Sequence, residues 1–318
     1  MPKTLYLAVP CYKEEEVLPE TAKRLLEKFN TLMAENAISS ESKIVFINDG
    51  SKDRTWEIIC ELNAENAVFA GINLSRNKGH QNALLAGLMF AKDKADAVIS
   101  MDADLQDDIN AVDEMWAKFN EGFDVVYGVR SKRTTDTFFK RFSAESFYKI
   151  MGIMGVDIVF NHADYRLMSQ RALAALAEFH EVNLFLRGVV PMIGYPSTTV
   201  TYERAERFAG ETKYPLSKML MFAVEGVTSL SIRPIRLITV VGFLSFLASF
   251  IIMIYFIVDY IMGGTVQGWA SIIVSIWAIG GLQLLAIGII GEYIGKIYLE
   301  TKARPKYVIE SIVVKENE

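Results

Sequence analysis

Two long apolar stretches near the end of the chain do most to limit what it can fold into. Residues 237–258 are 22 positions without a charge, and residues 269–291 are 23. As helices rising 1.5 Å per residue they reach about 33 and 35 Å, against a bilayer hydrocarbon core of about 30 Å. The connection through residues 263–268 is short and rich in glycine, which forces an antiparallel hairpin. It carries no Lys or Arg, whereas Arg233 and Arg236 precede the first stretch and Lys296, Lys302, Arg304 and Lys306 follow the second. The positive-inside rule then puts both chain ends in the cytoplasm. Two helices are too few to enclose a substrate pore, so the expected task of the hairpin is to hold the rest of the chain against a cell (inner) membrane that it crosses twice.

The rest of the chain is suited to water. Its 318 residues include 33 Lys and Arg and 38 Asp and Glu, for a net charge of -5. A wholly soluble protein and a protein of membrane helices alone are both excluded, and a mildly acidic chain has no general nucleic-acid footprint. Two cysteines, Cys11 and Cys60, make neither a disulfide framework nor a zinc site and are expected as reduced thiols. The first apolar run, residues 5–10, is too short for the apolar region of a signal peptide. The expected layout is a cytoplasmic domain over residues 1–213 and an amphipathic juxtamembrane segment over 214–234. Two membrane helices follow within 235–295 (about 235–261 and 269–292), then a cytoplasmic tail over 296–318.

Short apolar runs at residues 4–9, 43–47, 68–74 and 97–101 read as buried strands. Between them, residues 15–36, 54–66 and 82–94 carry apolar positions at helical spacing. Residues 124–129 read as a fifth strand, and 164–168 and 198–203 as late strands. Alternating strand and helix implies an α/β fold with a mostly parallel sheet flanked by helices. Ligands bind such sheets outside the carboxyl ends of the strands, which directs attention to residues 10–14, 48–51 and 102–106. Residues 138–154 read equally as a core helix or as one lying on the membrane surface.

The strongest of these clusters is DADLQD, residues 102–107. Asp102 and Asp104, two positions apart after an apolar strand, suit a hard divalent cation, magnesium or manganese, held between them and a diphosphate. An exposed acidic loop or a helix start uses the same residues. In NDGSKDRT, residues 48–55, Gly50 permits a tight turn and Asp49 can accept hydrogen bonds from a base or ribose; Asp53 capping a helix is the plainer reading. In VPCYKEEE, residues 9–16, Tyr12 is placed to stack on a base with Glu14 nearby, or the segment is merely a strand end and an acidic helix start.

In this order the three clusters resemble glycosyltransferase family 2, whose fold is of the GT-A type. More narrowly the chain resembles the polyprenyl-phosphate glycosyltransferases, among them bactoprenol glucosyltransferases and dolichol-phosphate mannosyltransferases. The resemblance covers nearly the whole chain, with one departure, Asn48 where many relatives carry a second Asp. It implies that Pro10, Tyr12, Glu14, Ile47 and Asp49 line a nucleotide pocket. Asp102 and Asp104 would hold the cation and donor diphosphate, with Ala103 and Gln106 near the sugar. The stretch RFAGETK, residues 207–213, matches a family motif in which Arg207 and Lys213 bind phosphate. Within NHADYR, residues 161–166, Asp164 matches the acidic residue that faces the acceptor, and Arg166 either orients it or contacts phosphate. Arg130, Lys140 and Arg141 are further candidates for lipid phosphate; His80 and His162 are expected in supporting places.

The implied reaction moves a hexose, with glucose the leading choice, from a UDP-sugar to polyprenyl (undecaprenyl) phosphate with inversion. Its expected partners are that donor, that acceptor and the bilayer, with no nucleic acid; a homo-oligomer is expected. Two other readings stay open. A processive family 2 polysaccharide synthase usually carries Gln-x-x-Arg-Trp, which none of Gln81, Gln106, Gln170, Gln267 and Gln283 begins. A non-catalytic membrane scaffold would bind UDP and transfer nothing.

Overall fold

The computed structural model describes residues 2–131, 162–203, 227–229, 231–262 and 268–315. Strand and helix alternate through β1 (Leu5–Cys11), α1 (Leu18–Ala34), β2 (Lys43–Asn48), α2 (Thr55–Glu65), β3 (Phe69–Leu74), α3 (His80–Ala91), β4 (Ala97–Ser100), α4 (Ala111–Asn120) and β5 (Val125–Arg130). After β6 (His162–Ser169) come α5 (Gln170–Ala177), α6 (Leu186–Met192) and β7 (Ser197–Tyr202). Two long helices, α7 (Arg233–Ile261) and α8 (Trp269–Lys302), precede a last strand, β8 (Ile309–Val314). The expected helix over 138–154, Lys140 and Arg141, the 207–213 stretch with Arg207 and Lys213, and most of the juxtamembrane segment lie outside the described residues.

Local pattern explains the elements. In β1, Leu5, Leu7, Val9 and Cys11 face one core while Tyr6 and Ala8 face another. Both faces are buried, as expected where helices cover a parallel sheet on each side. In α1 the buried residues Leu18, Ala22, Leu25, Phe29 and Leu32 recur at three- and four-residue steps, and a proline stands in the first turn. Helices α1, α2 and α4 pack on the first face, and α3, α5 and α6 on the second.

The eight strands lie in the order β7-β5-β6-β4-β1-β2-β3-β8. Strands β1 to β5 and β7 run one way; β6 and β8 run against them. This mostly parallel, helix-flanked sheet is the GT-A-type architecture expected. The reversal of β6 matters for the site. Pairing Ser100 with Arg166 and Ala97 with Ser169 brings the beginning of β6 beside the carboxyl end of β4. The tail beyond α8 holds a structure the sequence reading missed: β8 closes the β3 edge of the sheet, with Ala70 opposite Val314 and Ile72 opposite Ile312.

Helices α7 and α8 are each long and apolar enough to cross a membrane, with mean hydropathy 2.3 over Arg233–Ile252 and 1.5 over Ala278–Lys302. Phe243, Phe246, Ile251, Ile276, Leu284 and Ile287 all stand exposed. An apolar surface of this extent marks an interaction face rather than the outside of a water-soluble domain.

Candidate active site

The first two sequence clusters form one unit. Asp49 N donates to Cys11 O at 2.9 Å, and Lys13 N donates to Ser51 Oγ at 3.0 Å. Glu14 N donates to Thr55 Oγ1 at 3.1 Å and Arg54 N to Glu15 Oε2 at 3.0 Å. Tyr12 stands out from this frame, 45% exposed. A solvent-open cleft of about 510 Å³ lies alongside, lined by Lys13, Glu14, Glu15, Glu16, Lys52 and Asp53. Its balance of charge is acidic, which does not suit a diphosphate.

Asp49 carries this unit across to α3. Its buried carboxylate accepts from Lys78 N at 2.7 Å and Gly79 N at 2.9 Å. Burial raises its proton affinity, and those two bonds pull it back. Gly50 makes the approach feasible: its φ is +63°, and a Cβ there would lie 2.4 Å from Arg76 C and 2.5 Å from Asn77 N. Both atoms are backbone and cannot step aside cheaply. Gly50→Ala is therefore expected to lower stability by about 1–3 kcal/mol, read as a fall in Tm, and to displace residues 76–79.

The β4 loop is pinned from the other side. Thr21 Oγ1 donates to Ala103 O at 2.8 Å, and Gln106 N donates to Asp104 Oδ1 at 3.2 Å. Leu105 between them adopts a left-handed backbone, φ 57°, uncommon for a bulky residue and often found where a loop serves a site. Asp102 then meets residues far off in sequence. His80 Nε2, at the start of α3, is 3.4 Å from Asp102 Oδ1 and 3.7 Å from Asp164 Oδ2. Ser100 Oγ donates to Asp164 O at 2.5 Å, fixing the start of β6.

Asp164 is clamped by two arginines. Arg166 Nη2 donates to its Oδ1 at 2.7 Å. Arg187 donates from Nε to Oδ1 at 3.2 Å and from Nη2 to Oδ2 at 3.0 Å. Burial alone would raise the proton affinity of Asp164. The Arg187 and Arg166 guanidiniums overcome that and hold its carboxyl well below the usual carboxylate range. Arg187 keeps 31% of its side chain exposed, Arg166 only 1%.

Asp107 lies behind the loop. The Tyr202 hydroxyl donates to its Oδ1 at 2.5 Å, Arg130 Nη2 lies 4.0 Å from the same oxygen, and Oδ2 is buried without a hydrogen-bond partner among the described residues. Burial first, then the Asp102 carboxylate, push Asp107 up to about 6. Its folded value thus exceeds the unfolded value of about 3.9, so ionising it costs stability, on the order of 1–3 kcal/mol as pH rises from about 4 through about 6. Asp107→Asn is expected to raise Tm at pH 7.5 in chelator-treated protein and to flatten its pH dependence between pH 4 and 6.

The donor set fits a divalent cation. Asp102 keeps 36% of its side chain exposed, yet partial burial raises its proton affinity, with His80 opposing and Asp164 and Asp104 adding repulsion. Crowded carboxylates of this kind are neutralised by a proton or a metal. Among the described residues no group of three or more His, Cys, Asp or Glu is placed to hold an ion by itself. Asp102 and Asp104 accordingly offer part of a coordination sphere that diphosphate oxygens and water would complete.

Comparison with known proteins decides the family. The model of "Glycosyl transferase family 2" matches residues 6–176. The chain belongs to glycosyl transferase family 2. It is 53% identical over 306 residues to "Uncharacterized glycosyltransferase YkoT" of Bacillus subtilis (strain 168), covering 96% of this chain and 91% of that one. It is 41% identical over 307 residues to "Bactoprenol glucosyl transferase" of Shigella phage SfV, covering 96% and 97%. Among solved structures, mannosyl-3-phosphoglycerate synthase from Rubrobacter xylanophilus superposes with a TM-score of 0.49 at 13% identity, over 74% of each chain.

Within this family 2 glycosyltransferase the expected site residues fall into two groups. Tyr12, Glu14, Asp102, Asp104, Gln106 and Asp164 stand at the one sheet edge where the strand ends converge. Pro10, Ile47, Asp49 and Ala103 are buried. Ile47, expected beside the base, is fully buried against Gly87 of α3, so its side chain serves the core. Arg166, expected either to orient Asp164 or to contact phosphate, does the first; full burial keeps its guanidinium from an incoming phosphate.

Three residues of this cluster carried no functional assignment from sequence. His80 was expected only in support, yet it bridges Asp102 and Asp164; its signal was its place just after the carboxyl end of β3. Arg187 gave no motif. Asp107, the last residue of DADLQD, is a buried link between the β4 loop and the ends of β5 and β7.

Proposed function

We propose that this glycosyltransferase moves a hexose, glucose, from UDP-glucose to undecaprenyl phosphate, at the cytoplasmic face of a membrane crossed by α7 and α8. The observation that carries the reading is the meeting of Asp102, at the carboxyl end of β4, with the arginine-held Asp164 across His80. That is a site for two anions, one on either side of a sugar. The relative from Shigella phage SfV is named for glucosyl transfer to bactoprenol, which supports the choice of sugar and acceptor. The apolar hairpin supports a lipid-borne acceptor.

In this reading Tyr12, Glu14 and Asp49 frame the nucleotide, and Asp102 and Asp104 would hold magnesium or manganese beside the donor diphosphate. The cation supplies Lewis-acid stabilisation of charge on the departing UDP. An oxygen of the acceptor phosphate attacks the anomeric carbon from the face opposite UDP, a new C–O bond forms as the bond to UDP breaks, and the configuration inverts. A phosphate monoester loses its second proton near pH 6, so the nucleophile is already largely dianionic at neutral pH. Asp164, clamped and strongly acidic, is unsuited to removing a proton. Its part is to hold Arg187 toward the acceptor. Arg141, Arg207 and Lys213 are assigned to acceptor and donor phosphates on the family motif. A homo-oligomer at the membrane belongs to the same proposal.

The test is a donor screen. Purified full-length protein in detergent is incubated with magnesium or manganese, undecaprenyl phosphate and, in turn, UDP-glucose, UDP-galactose and UDP-N-acetylglucosamine, and lipid products are read by mass spectrometry. The expected product carries one hexose from UDP-glucose. Multiple hexoses per lipid, or UDP binding with no lipid-linked product from any donor, would overturn the reading.

A further inference from the structure

One face of α8 grips both the chain just ahead of α7 and the catalytic domain. Tyr293, Lys296 and Glu300 follow at three- and four-residue steps, which aligns their side chains along one side of a helix. The Tyr293 hydroxyl donates to Ser231 O at 2.5 Å, and Lys296 Nζ donates to Ser229 Oγ at 2.7 Å, so both reach the chain just ahead of α7. A turn later Glu300 receives three bonds from the loop before α6. Val182 N donates to Oε2 at 2.7 Å, Asn183 N to Oε1 at 2.8 Å and Asn183 Nδ2 to Oε1 at 2.6 Å. Beyond the helix, Lys306 Nζ donates to Phe179 O at 3.0 Å, at the start of the same loop.

A glutamate in the last turn of a helix faces the negative end of the helix dipole and is disfavoured there. Glu300 is nevertheless placed in that turn and meets two backbone N–H groups and an amide. Charge-assisted bonds of this length are the strong kind. The loop they hold leads directly into the site. Leu186 N donates to Gln81 Oε1 at 2.8 Å, and Leu186 O accepts from Arg166 Nη1 at 3.3 Å. The next residue is Arg187, whose guanidinium holds Asp164.

We propose that Glu300 is a positioning residue: it fixes the backbone of Val182 and Asn183, hence α6, so that Arg187 and Asp164 are set for an anionic acceptor. Turnover then depends on how the second apolar helix is seated. The proposal rests on the transferase reading above.

The experiment uses the full chain in lipid nanodiscs, as wild type, Glu300→Ala, Glu300→Gln, Asn183→Ala and the Glu300→Ala/Asn183→Ala double variant. Glu300→Ala is expected to lower kcat/KM for undecaprenyl phosphate at least tenfold while the Kd for UDP stays within twofold. Glu300→Gln keeps one carbonyl acceptor and is expected to recover part of the loss. The double variant should be close to Glu300→Ala, because the bond from Asn183 Nδ2 to Glu300 is already gone there and Asn183 adds only a 3.4 Å bond to Lys296 O. Wild-type acceptor kinetics in Glu300→Ala, or an equal loss of UDP affinity, would overturn the proposal. If Glu300→Ala does not fold, Asn183→Ala decides, with at least a threefold loss expected and wild-type kinetics overturning. Amide hydrogen exchange at residues 182–187 separates this proposal from the transferase reading. Exchange at least tenfold faster in the variant is expected whatever the substrate, and unchanged protection overturns the role of Glu300. Absence of any lipid-linked product from the wild type overturns the transferase reading alone.

Discussion

Replacing Asp104 by Asn is expected to lower turnover by about three orders of magnitude, the scale seen when a group that stabilises developing transition-state charge is removed. The substitution is nearly isosteric. The bond from Gln106 N reaches Oδ1 of Asp104, and an Asn carbonyl accepts it as well, so the β4 loop keeps its shape. In the proposed reading, what is lost is one anionic oxygen donor of the pair assigned to the cation. The deficit should therefore shrink, without vanishing, as magnesium or manganese is raised, and Tm should move by no more than a few degrees. A chelator should stop the wild-type reaction, and added cation should restore it. Initial rates of transfer from UDP-glucose to undecaprenyl phosphate across a cation titration measure this. Wild-type turnover of Asp104→Asn at saturating cation would remove the cation from the centre of the mechanism.

Asp104 was legible because its signal is local: a strand of apolar residues, then two carboxylates two positions apart. The same holds for β1 to β4, whose runs are short, apolar and separated by helical spacing. Non-local features were harder to see. The direction of strand β6 depends on which neighbour it pairs with, so nothing in residues 164–168 announced that it reverses. Strand β8 pairs with β3 across more than 230 positions, and its alternation of Ile, Glu and Ser is too brief to separate from a plain tail. Ile47 was assigned to the base by motif, but only the packing of α3 on the sheet shows its side chain turned inward.

The charges of the site gain their meaning from that reversal. In an all-parallel sheet the start of a strand lies at the edge opposite the ligand site. Because β6 runs backward, Asp164 reaches the ligand edge, and Arg166, two residues on, points to the same face of the strand. Arg187 comes from α6 on the same side of the sheet. Two cations thus surround one carboxylate a short distance from a second carboxylate, Asp102, with His80 between them. The result is a gradient from an acidic side at Asp102 and Asp104 to a side carrying the two arginines. Two anionic substrates that must approach each other require such a gradient.

Asp164→Asn tests that arrangement with a large effect on stability as well as rate. Arg166 is fully buried, and losing its counter-charge strands a guanidinium in the interior, a change that typically costs about 3–5 kcal/mol. The sign with pH follows from the depressed carboxyl. Its folded value lies below the unfolded value of about 3.9, so its stabilisation is fully present above that value and is lost only as pH falls through the folded one. The stability deficit of the variant should therefore be constant between pH 5 and 8 and narrow only in stronger acid, read by denaturant titration at each pH. Turnover at neutral pH should fall at least a hundredfold, because Arg187 loses the partner that aims it. The two roles for Asp164 separate in the pH–rate profile. A general base with a value near neutrality would give the wild type an acid limb that the variant lacks. A carboxylate already ionised throughout that range leaves the limb to the acceptor phosphate, so wild type and variant should share its midpoint and differ only in height.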